Sequence, residues 1–193
     1  MLSIPSDKGT YAIQILLPKT KTITIGKLGR YKFPFGAYVY VGSAFGSGGL
    51  RSRINRHIYG SANIHWHIDT LLKYAKVRAF FYLIDIKKYE CKWAQALTEV
   101  AGTTYPVPGF GSSDCTRCHA HLISFTHSGI SENMGMHNER LFKTIRETFT
   151  KISDLPPDSI KGFQIPEARV SRFSQRRELT GTDDPCLENN RIP

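Results

Sequence analysis

Residues 37–59 read AYVYVGSAFGSGGLRSRINRHIY, in which a β-strand pattern passes through a glycine-rich loop into a helix pattern. The strand pattern consists of β-formers and ends at Gly42. After the loop SAFGSGG, apolar residues recur at helical spacing, which places Leu50, Ile54 and Ile58 on one face. This order of strand, loop and helix predicts a domain in which a sheet and helices are combined.

Similar patterns continue on both sides of this stretch. Residues 10–17 (TYAIQILL) and the alternating residues 20–29 (TKTITIGKLG) predict two strands before it. Residues 77–86 (VRAFFYLIDI) form a continuous apolar run, which is typical of a central strand covered on both faces. Three later stretches have helix patterns, namely 64–75 with Asn63 as its cap, 89–101 and 138–152. The chain is therefore expected to have an α+β (α/β) fold.

Length and composition fit one domain with an extension. The chain has 193 residues, of which 40% are hydrophobic and 22% are charged. No apolar stretch is long enough to cross a bilayer, and residues 1–9 lack the apolar core of a secretory signal, so we expect an intracellular, cytoplasmic protein that could associate with the nucleoid. We assign 8–127 to the domain, 128–155 to a C-terminal helical extension and 156–193 to a largely disordered polar tail.

Positive charge is concentrated in the first two-thirds of the chain. The sequence has 26 Lys and Arg against 16 Asp and Glu, a formal net charge of +10. Residues 1–127 hold 16 of these bases and 6 of these acids, so the entire excess lies there. Neutralising phosphates releases condensed counterions, which makes a polyanion such as DNA an expected partner. The alternative is a basic but merely solvated surface.

A set of side chains suited to phosphodiester cleavage is distributed over these elements. Tyr11 lies in the sequence GTY that opens the first strand, and Tyr40 lies in YVG at the end of a later strand. Arg53 and His57 are four residues apart on one helix face, and Glu90 begins a later helix. Phosphodiester hydrolysis requires a proton acceptor, positive charge at the phosphoryl oxygens and stabilisation of the leaving oxygen. A tyrosine can relay the proton if a neighbouring cation lowers its pKa.

These residues resemble the motifs of the GIY-YIG nuclease family. Over roughly residues 8–127 the chain is similar to the stand-alone, uncharacterised branch of that family, which also occurs fused to endonuclease III-type glycosylases. The stretches that fit this branch are GRYKFPFGAYVYVGSA, GGLRSRINRH, HWHIDTLL and PGFGSSDC with a following HL. The resemblance implies a small, three-stranded, mostly antiparallel sheet flanked by helices. It also implies a metal-dependent endonuclease that acts on DNA in repair or recombination.

The resemblance further implies a role for each residue of the set. Tyr11 and Tyr40 would flank the scissile phosphate, one of them as general base or water-orienting group. Gly42 would let the backbone turn tightly beside the phosphate. Arg53 would stabilise the phosphoryl charge, and His57 would assist proton transfer or contact the phosphate. Taken singly, each tyrosine is equally explained as a strand aromatic that packs over the sheet.

The same resemblance assigns the metal and the remaining nucleic-acid contacts. Glu90 would coordinate one divalent ion, Mg²⁺ or Mn²⁺, although Glu90 also suits the first turn of a helix as a favourable charge. Glu99 is a competing carboxylate for that ion. The candidate nucleic-acid contacts, besides Gly42, are Arg51, Arg56 and His67.

The segment CTRCHAH at residues 115–121 has the residue types of a zinc site. The thiolates of Cys115 and Cys118 and the imidazole of His121 suit a tetrahedral ion. The sequence has no second CxxC or HxxxH that would supply ligands from a separate segment, so we expect reduced cysteines and packed histidines rather than zinc. Two alternatives to a nuclease stay open, namely a non-catalytic nucleic-acid-binding module and a zinc-stabilised interaction domain whose C-terminal helix docks a protein partner.

Overall fold

The computed structural model describes residues 3–61, 63–113, 115, 117–125 and 134–166. Within these residues the strands are β1 (Gly9–Leu17), β2 (Lys21–Ile25), β3 (Gly29–Phe33), β4 (Gly36–Ser43), β5 (Lys76–Ile84), β6 (Leu122–Ser124) and β7 (Ile160–Gln164). The helices are α1 (Gly49–Tyr59), α2 (His67–Leu72), α3 (Glu90–Thr98) and α4 (Met134–Ser153). The predicted α+β class is confirmed.

Five strands form one antiparallel sheet in the order β6-β4-β1-β5-β7, and β2 pairs with β3 in a separate hairpin. β1 is the central strand, because it pairs with β4 on one side and with β5 on the other. The predicted three-stranded sheet is therefore wrong in its strand number. β6 has only three residues and β7 lies in a polar segment, so neither edge strand carries a long apolar pattern.

β7 lies inside the segment for which a disordered tail was predicted. Ile160 is 1% exposed and pairs with Leu83 of β5. The prediction that disorder begins at residue 156 is therefore wrong for residues 160–164, because sheet pairing supplies backbone hydrogen bonds that a polar composition does not reveal. Residues 156–159 and 165–166 are also described, whereas the last part of the predicted tail, residues 167–193, lies outside the described residues.

Helices cover both faces of the sheet, which explains why every residue of β1 is buried. Ile13 and Ile15 belong to a core that also contains residues of α1, α2 and the β2-β3 hairpin. Ala12, which points the opposite way along the strand, belongs to a second core with α3 and α4. Alternate residues of β1 thus face the layer formed by α1 and α2, and the residues between them face the layer formed by α3 and α4.

α4 belongs to the second core and packs on α3. The rings of Trp93 and Phe149 stack with centroids 4.0 Å apart, and the indole N–H of Trp93 donates to Ser153 Oγ at 3.1 Å. The helix predicted over 138–152 is confirmed, with bounds extended to 134–153. None of the helices in the described part of the chain combines the length and apolar character that a bilayer crossing requires.

α2 is shorter than the helix predicted over 64–75. The carboxylate of Asp69 accepts hydrogen bonds from the backbone N–H groups of His65 at 2.9 Å and Trp66 at 3.1 Å. These bonds hold the chain before His67 in a non-helical conformation, with Trp66 at φ −117° and ψ 157°. The helix consequently begins at His67, and Asn63 does not cap it.

Candidate functional site

Two tyrosines and a histidine meet on the α1 side of the sheet, a group that we call the tyrosine–histidine cluster (Tyr11, Tyr40 and His57). Tyr11 Oη lies 2.8 Å from His57 Nε2. The ring centroids of Tyr11 and Tyr40 are 6.5 Å apart, and those of Tyr40 and His57 are 6.1 Å apart. The three side chains are buried, at 3%, 7% and 0% exposure respectively. The sheet register and the buried face of α1 therefore bring three of the predicted site residues together.

Gly42 is required by the side chain that faces it, not by a turn. It lies within β4, directly opposite Tyr11 of β1. A Cβ at this position would stand 2.6 Å from Tyr11 Oη and 2.7 Å from Tyr11 Cζ. The implied tight turn at Gly42 is therefore wrong, and the glycine instead makes room for the phenol ring.

Arg53 is held above the ring of Trp66. The guanidinium carbon of Arg53 lies 3.9 Å from the centroid of the Trp66 ring, and that of Arg56 lies 4.8 Å from it. The same indole packs edge-on against His57, with centroids 6.2 Å apart. Cation–π attraction and the planar ring restrict the guanidinium of Arg53 next to the tyrosine–histidine cluster. Trp66 was not among the site residues predicted from the sequence.

Asp69 links α2 to this group. Its Oδ1 lies 3.9 Å from His57 Nδ1, and its Oδ2 accepts a hydrogen bond from Arg56 Nη2 at 2.8 Å. Burial alone would raise the pKa of Asp69, but the hydrogen bonds from Arg56 and from the backbone of His65 and Trp66 outweigh it and lower the pKa. Asp69 is therefore a carboxylate at neutral pH, placed on the far side of the imidazole from Tyr11.

The two phenols of the cluster are neutral. Burial raises the pKa of Tyr11 and of Tyr40 well above the ordinary value of 10.0. The positive charge of Arg53 acts to lower both values, and the negative charge of Glu90 acts to raise them. The condition stated for a tyrosine that relays the proton, a pKa lowered by a neighbouring cation, is therefore not met, since desolvation is the larger effect.

Glu90, and not Glu99, is the carboxylate of α3 beside the tyrosines. Glu90 is the first residue of the helix and half-buried, and its charge acts on the pKa of both phenols. Glu99 follows the other end of the helix and is exposed. Glu90 and Glu99 are nine residues apart, which corresponds to about 13 Å along the helix axis. A single carboxylate such as Glu90 could hold a divalent cation that keeps several waters.

The remaining candidate nucleic-acid contacts have structural partners. Arg51 is exposed, and its Nε donates to the carbonyl oxygen of Ile4 at 2.8 Å. Arg56 binds Asp69 as described. His67 Nδ1 accepts a hydrogen bond from the backbone N–H of Gly111 at 3.3 Å, and burial lowers the pKa of this histidine. Of these three side chains, Arg51 is the most accessible to a ligand.

A second group of chemically active side chains adjoins Glu90, and we call it the cysteine–histidine cluster (Cys91, Cys115, Cys118 and His121). One ligand atom from each residue lies within 4.8 Å of every other, so the group could hold a metal ion. The Sγ atoms of Cys91 and Cys115 are 3.3 Å apart. No ligand from a separate segment was expected, because the sequence has no second CxxC or HxxxH. That expectation is wrong, because Cys91 in the first turn of α3 provides one.

The members of this cluster differ in protonation. Hydrogen bonds from the backbone N–H of Arg117 and then from Cys91 lower the pKa of the Cys115 thiol to about 7. Burial raises the pKa of Cys91 and of Cys118, and it lowers the pKa of His121. A metal ion binds thiolates and neutral imidazole, so Cys115 and His121 are close to the required form, whereas Cys91 and Cys118 would give up their protons when an ion binds.

The two clusters share a border. The charge of Glu90 acts on His121 as well as on the tyrosines. A Cβ at Gly111 would lie 2.7 Å from Tyr40 Cε2 and 3.4 Å from His121 Cβ, and Gly111 has a φ of +74°. The ring of Phe110 packs edge-on against Tyr40, with centroids 6.2 Å apart. The loop before β6 therefore contacts the tyrosine–histidine cluster and contributes to the cysteine–histidine cluster.

The family model described as "Domain of unknown function DUF123" matches residues 10–142. The chain belongs to this family. The matched residues begin in β1 and end in α4, so they include every residue of both clusters. No curated protein and no solved structure matches the chain.

Within the DUF123 region, three functional candidates escaped the sequence analysis. Trp66 and Asp69 lie in HWHIDTLL, a stretch that was quoted only for the family resemblance and without a role for either side chain in the site. Cys91 lies 24 residues before Cys115 and follows no ligand spacing. The only available signal for it was its position next to Glu90, a residue already assigned to the site.

Proposed function

We propose that this DUF123 protein is an endonuclease-type domain that hydrolyses phosphodiester bonds in DNA with the help of a divalent cation. The observation that carries the proposal is the 2.8 Å contact between Tyr11 Oη and His57 Nε2, with the charges of Arg53 and Glu90 close enough to act on the phenol. The resemblance to GIY-YIG nucleases and the net charge of +10 support the choice of DNA.

The proposal assigns the proton transfer to Tyr11 and His57 together. Because burial disfavours a free phenolate, Tyr11 passes its proton to His57 Nε2 while it accepts one from the attacking water. The water oxygen forms a bond to phosphorus, and the bond from phosphorus to the leaving sugar oxygen breaks. The leaving oxygen takes a proton from solvent, and His57 returns its extra proton to solvent. Atoms and charge are thereby balanced over one turnover.

We assign the stabilisation of the charge that develops during the reaction to Arg53 and Glu90. Arg53 offers a planar fork that matches phosphate oxygens, and its contact with Trp66 holds the guanidinium in place. Glu90 fits a hard cation that needs one carboxylate and otherwise water. A bound Mg²⁺ or Mn²⁺ would supply Lewis-acid stabilisation of the phosphoryl and leaving oxygens.

The test is cleavage of a panel of branched and single-stranded DNAs by the full chain in Mg²⁺ or Mn²⁺. Arg53→Ala and Glu90→Gln are each expected to lower the cleavage rate by about 10²-fold or more, while DNA binding changes little. Arg146→Ala and Glu147→Gln are matched controls, because both residues are exposed on α4 beyond the opposite face of the sheet. Full activity of Arg53→Ala, or a loss in Glu99→Gln that Glu90→Gln does not produce, would contradict the assignments.

A non-catalytic nucleic-acid-binding module is the second candidate. The observation that favours it is the raised pKa of both phenols, which makes proton transfer through them harder. In that case the wild-type chain would bind DNA and cut none of the panel. Its affinity for DNA would fall steeply as the salt concentration rises. In a plot of log affinity against log salt concentration, the slope would be about −0.9 for each phosphate contacted in a double-stranded DNA.

A further inference from the structure

We infer that Cys91, Cys115, Cys118 and His121 form a zinc site that fastens the loop before β6 to the start of α3. This inference does not rest on the proposed nuclease function. The four ligands come from two regions of the chain that lie far apart in sequence, and both regions border the tyrosine–histidine cluster.

The spacing of the donor atoms fits a tetrahedral ion. Ligand atoms about 2.3 Å from zinc stand about 3.8 Å apart at the corners of a tetrahedron. The four atoms of the cysteine–histidine cluster all lie within 4.8 Å of one another, and the closest sulfur pair is 3.3 Å apart. Movements of up to about 0.5 Å by each donor atom would therefore place all four around one ion. Three thiolates and one imidazole are a ligand set that zinc takes in structural sites.

His121 provides an independent observation. It is 4% exposed, and neither of its ring nitrogens makes a hydrogen bond of regular geometry among the residues that the structure describes, although the backbone of Gly111 lies close enough to act on the ring. A buried polar group without a partner costs stability, so such groups usually have a ligand. One of these nitrogens belongs to the group of four donor atoms. A zinc ion would satisfy it.

No disulfide engages the sulfur atoms of the three cysteines in this cluster. Cys91, Cys115 and Cys118 are all free thiols and all half-buried. A disulfide could use only two of the three and would leave His121 unchanged, whereas a zinc ion engages every member of the cluster. Mg²⁺ and Ca²⁺ prefer oxygen ligands and do not fit this set.

The location of the site would give a bound ion a structural role. Glu90 directly precedes Cys91, and the loop that contains Cys115 and Cys118 also contacts Tyr40 through Phe110 and Gly111. An ion held between them therefore fixes the position of Glu90 relative to Tyr40. Glu90 and Tyr40 matter for catalysis only if the proposed function is correct, so the test below measures the metal itself.

The experiment measures metal in the purified full chain by inductively coupled plasma mass spectrometry, and again after replacement of the metal by Co²⁺. About one zinc ion per chain is expected, and the cobalt form should have intense visible bands typical of tetrahedral thiolate coordination. Removal of the ion with a chelator should lower the thermal midpoint by about 10 °C.

Variants distinguish ligands from cysteines that merely lie nearby. Cys91→Ser is expected to lose most of the zinc, and His121→Cys to retain the ion with an altered cobalt spectrum. Cys186→Ser is the matched control, because it removes the one cysteine of the chain that is not among the four proposed ligands, and it should leave zinc content unchanged.

Three results would overturn the inference. They are a wild-type chain that holds less than about a tenth of an ion in the presence of zinc, full zinc content in Cys91→Ser, and the absorption of an iron–sulfur cluster. If Cys91→Ser does not fold, the cobalt spectrum of His121→Cys still decides the outcome, since an unchanged spectrum excludes His121 as a ligand. A zinc-loaded chain that cuts no DNA would contradict the proposed function and leave the zinc site supported.

Discussion

Substitution of Gly42 by alanine tests the geometry on which the tyrosine–histidine cluster depends. The added Cβ would stand 2.7 Å from Tyr11 Cζ, whereas carbon atoms in contact are normally about 3.5–4.0 Å apart. The phenol ring must therefore move by about 1 Å. Tyr11 is 3% exposed and touches His57, so the ring has little space into which it can move.

The magnitude follows from three contributions. Overpacking of a buried side chain costs about 1–3 kcal/mol, and a weakened hydrogen bond to His57 adds about 0.5–1.5 kcal/mol. Alanine is less flexible than glycine in the unfolded chain, which offsets about 0.5–1 kcal/mol. The free energy of unfolding should therefore fall by about 2 kcal/mol. For a chain of this size, the thermal midpoint should fall by about 4–8 °C.

Urea and thermal unfolding of the purified chain measure this change, with Gly46→Ala as the matched control. A Cβ at Gly46 would meet Arg53 Nη2 at an ordinary 3.6 Å, so this variant should stay within about 0.5 kcal/mol of wild type. The cause can be isolated in the Tyr11→Leu background, where the clashing atoms are missing and Gly42→Ala should cost much less. A Gly42→Ala variant as stable as wild type, or an equal cost in both backgrounds, would refute the reasoning.

Two further predictions concern Asp69 and β7. The pKa of Asp69 in the folded state lies below its ordinary value of 3.8. The ionised carboxylate therefore contributes fully to stability above pH 3.8, and this contribution is lost as the pH falls through the folded-state pKa. Asp69→Asn should therefore cost about 1–3 kcal/mol in urea unfolding at pH 7, and this cost should shrink steadily as the pH is lowered below 3.8; a cost that does not change with pH in that range would contradict this. Ile160→Ala should cost about 2–5 kcal/mol because Ile160 is 1% exposed in the second core, and Lys161→Ala is its control because Lys161 is exposed on the same strand. Thermal unfolding checks this, and equal midpoints for the two variants would show that β7 does not pack as described.

The central part of the fold could be predicted because its signals are local. Alternating and continuous apolar runs identified β1, β4 and β5, and the face formed by Leu50, Ile54 and Ile58 of α1 is buried as expected. The edge strands have weaker signals. β6 corresponds to a short strand-like piece at the end of residues 107–125, whereas β7 has a single buried residue and could not be found, because it depends on pairing with a distant strand.

The candidate site was predictable only in part. Tyr11, Tyr40 and His57 were selected through a family resemblance, and the structure brings them together. Their protonation was not predictable, because desolvation depends on how completely the surrounding layers cover them. Cys91 was missed for a related reason, since its distance from Cys115 is set by the packing of α3 on the sheet and not by sequence spacing.

The pairing of β7 with β5 affects how a shortened chain would behave. β5 is a nine-residue strand with a mostly buried, apolar sequence, and its outer edge is covered by β7. An uncovered strand of this kind offers its backbone groups to other molecules and promotes aggregation. β7 is a poor template for such growth, because it has five residues and exposes Lys161. Fragments that end before residue 160 are therefore expected to precipitate at concentrations that the full chain tolerates.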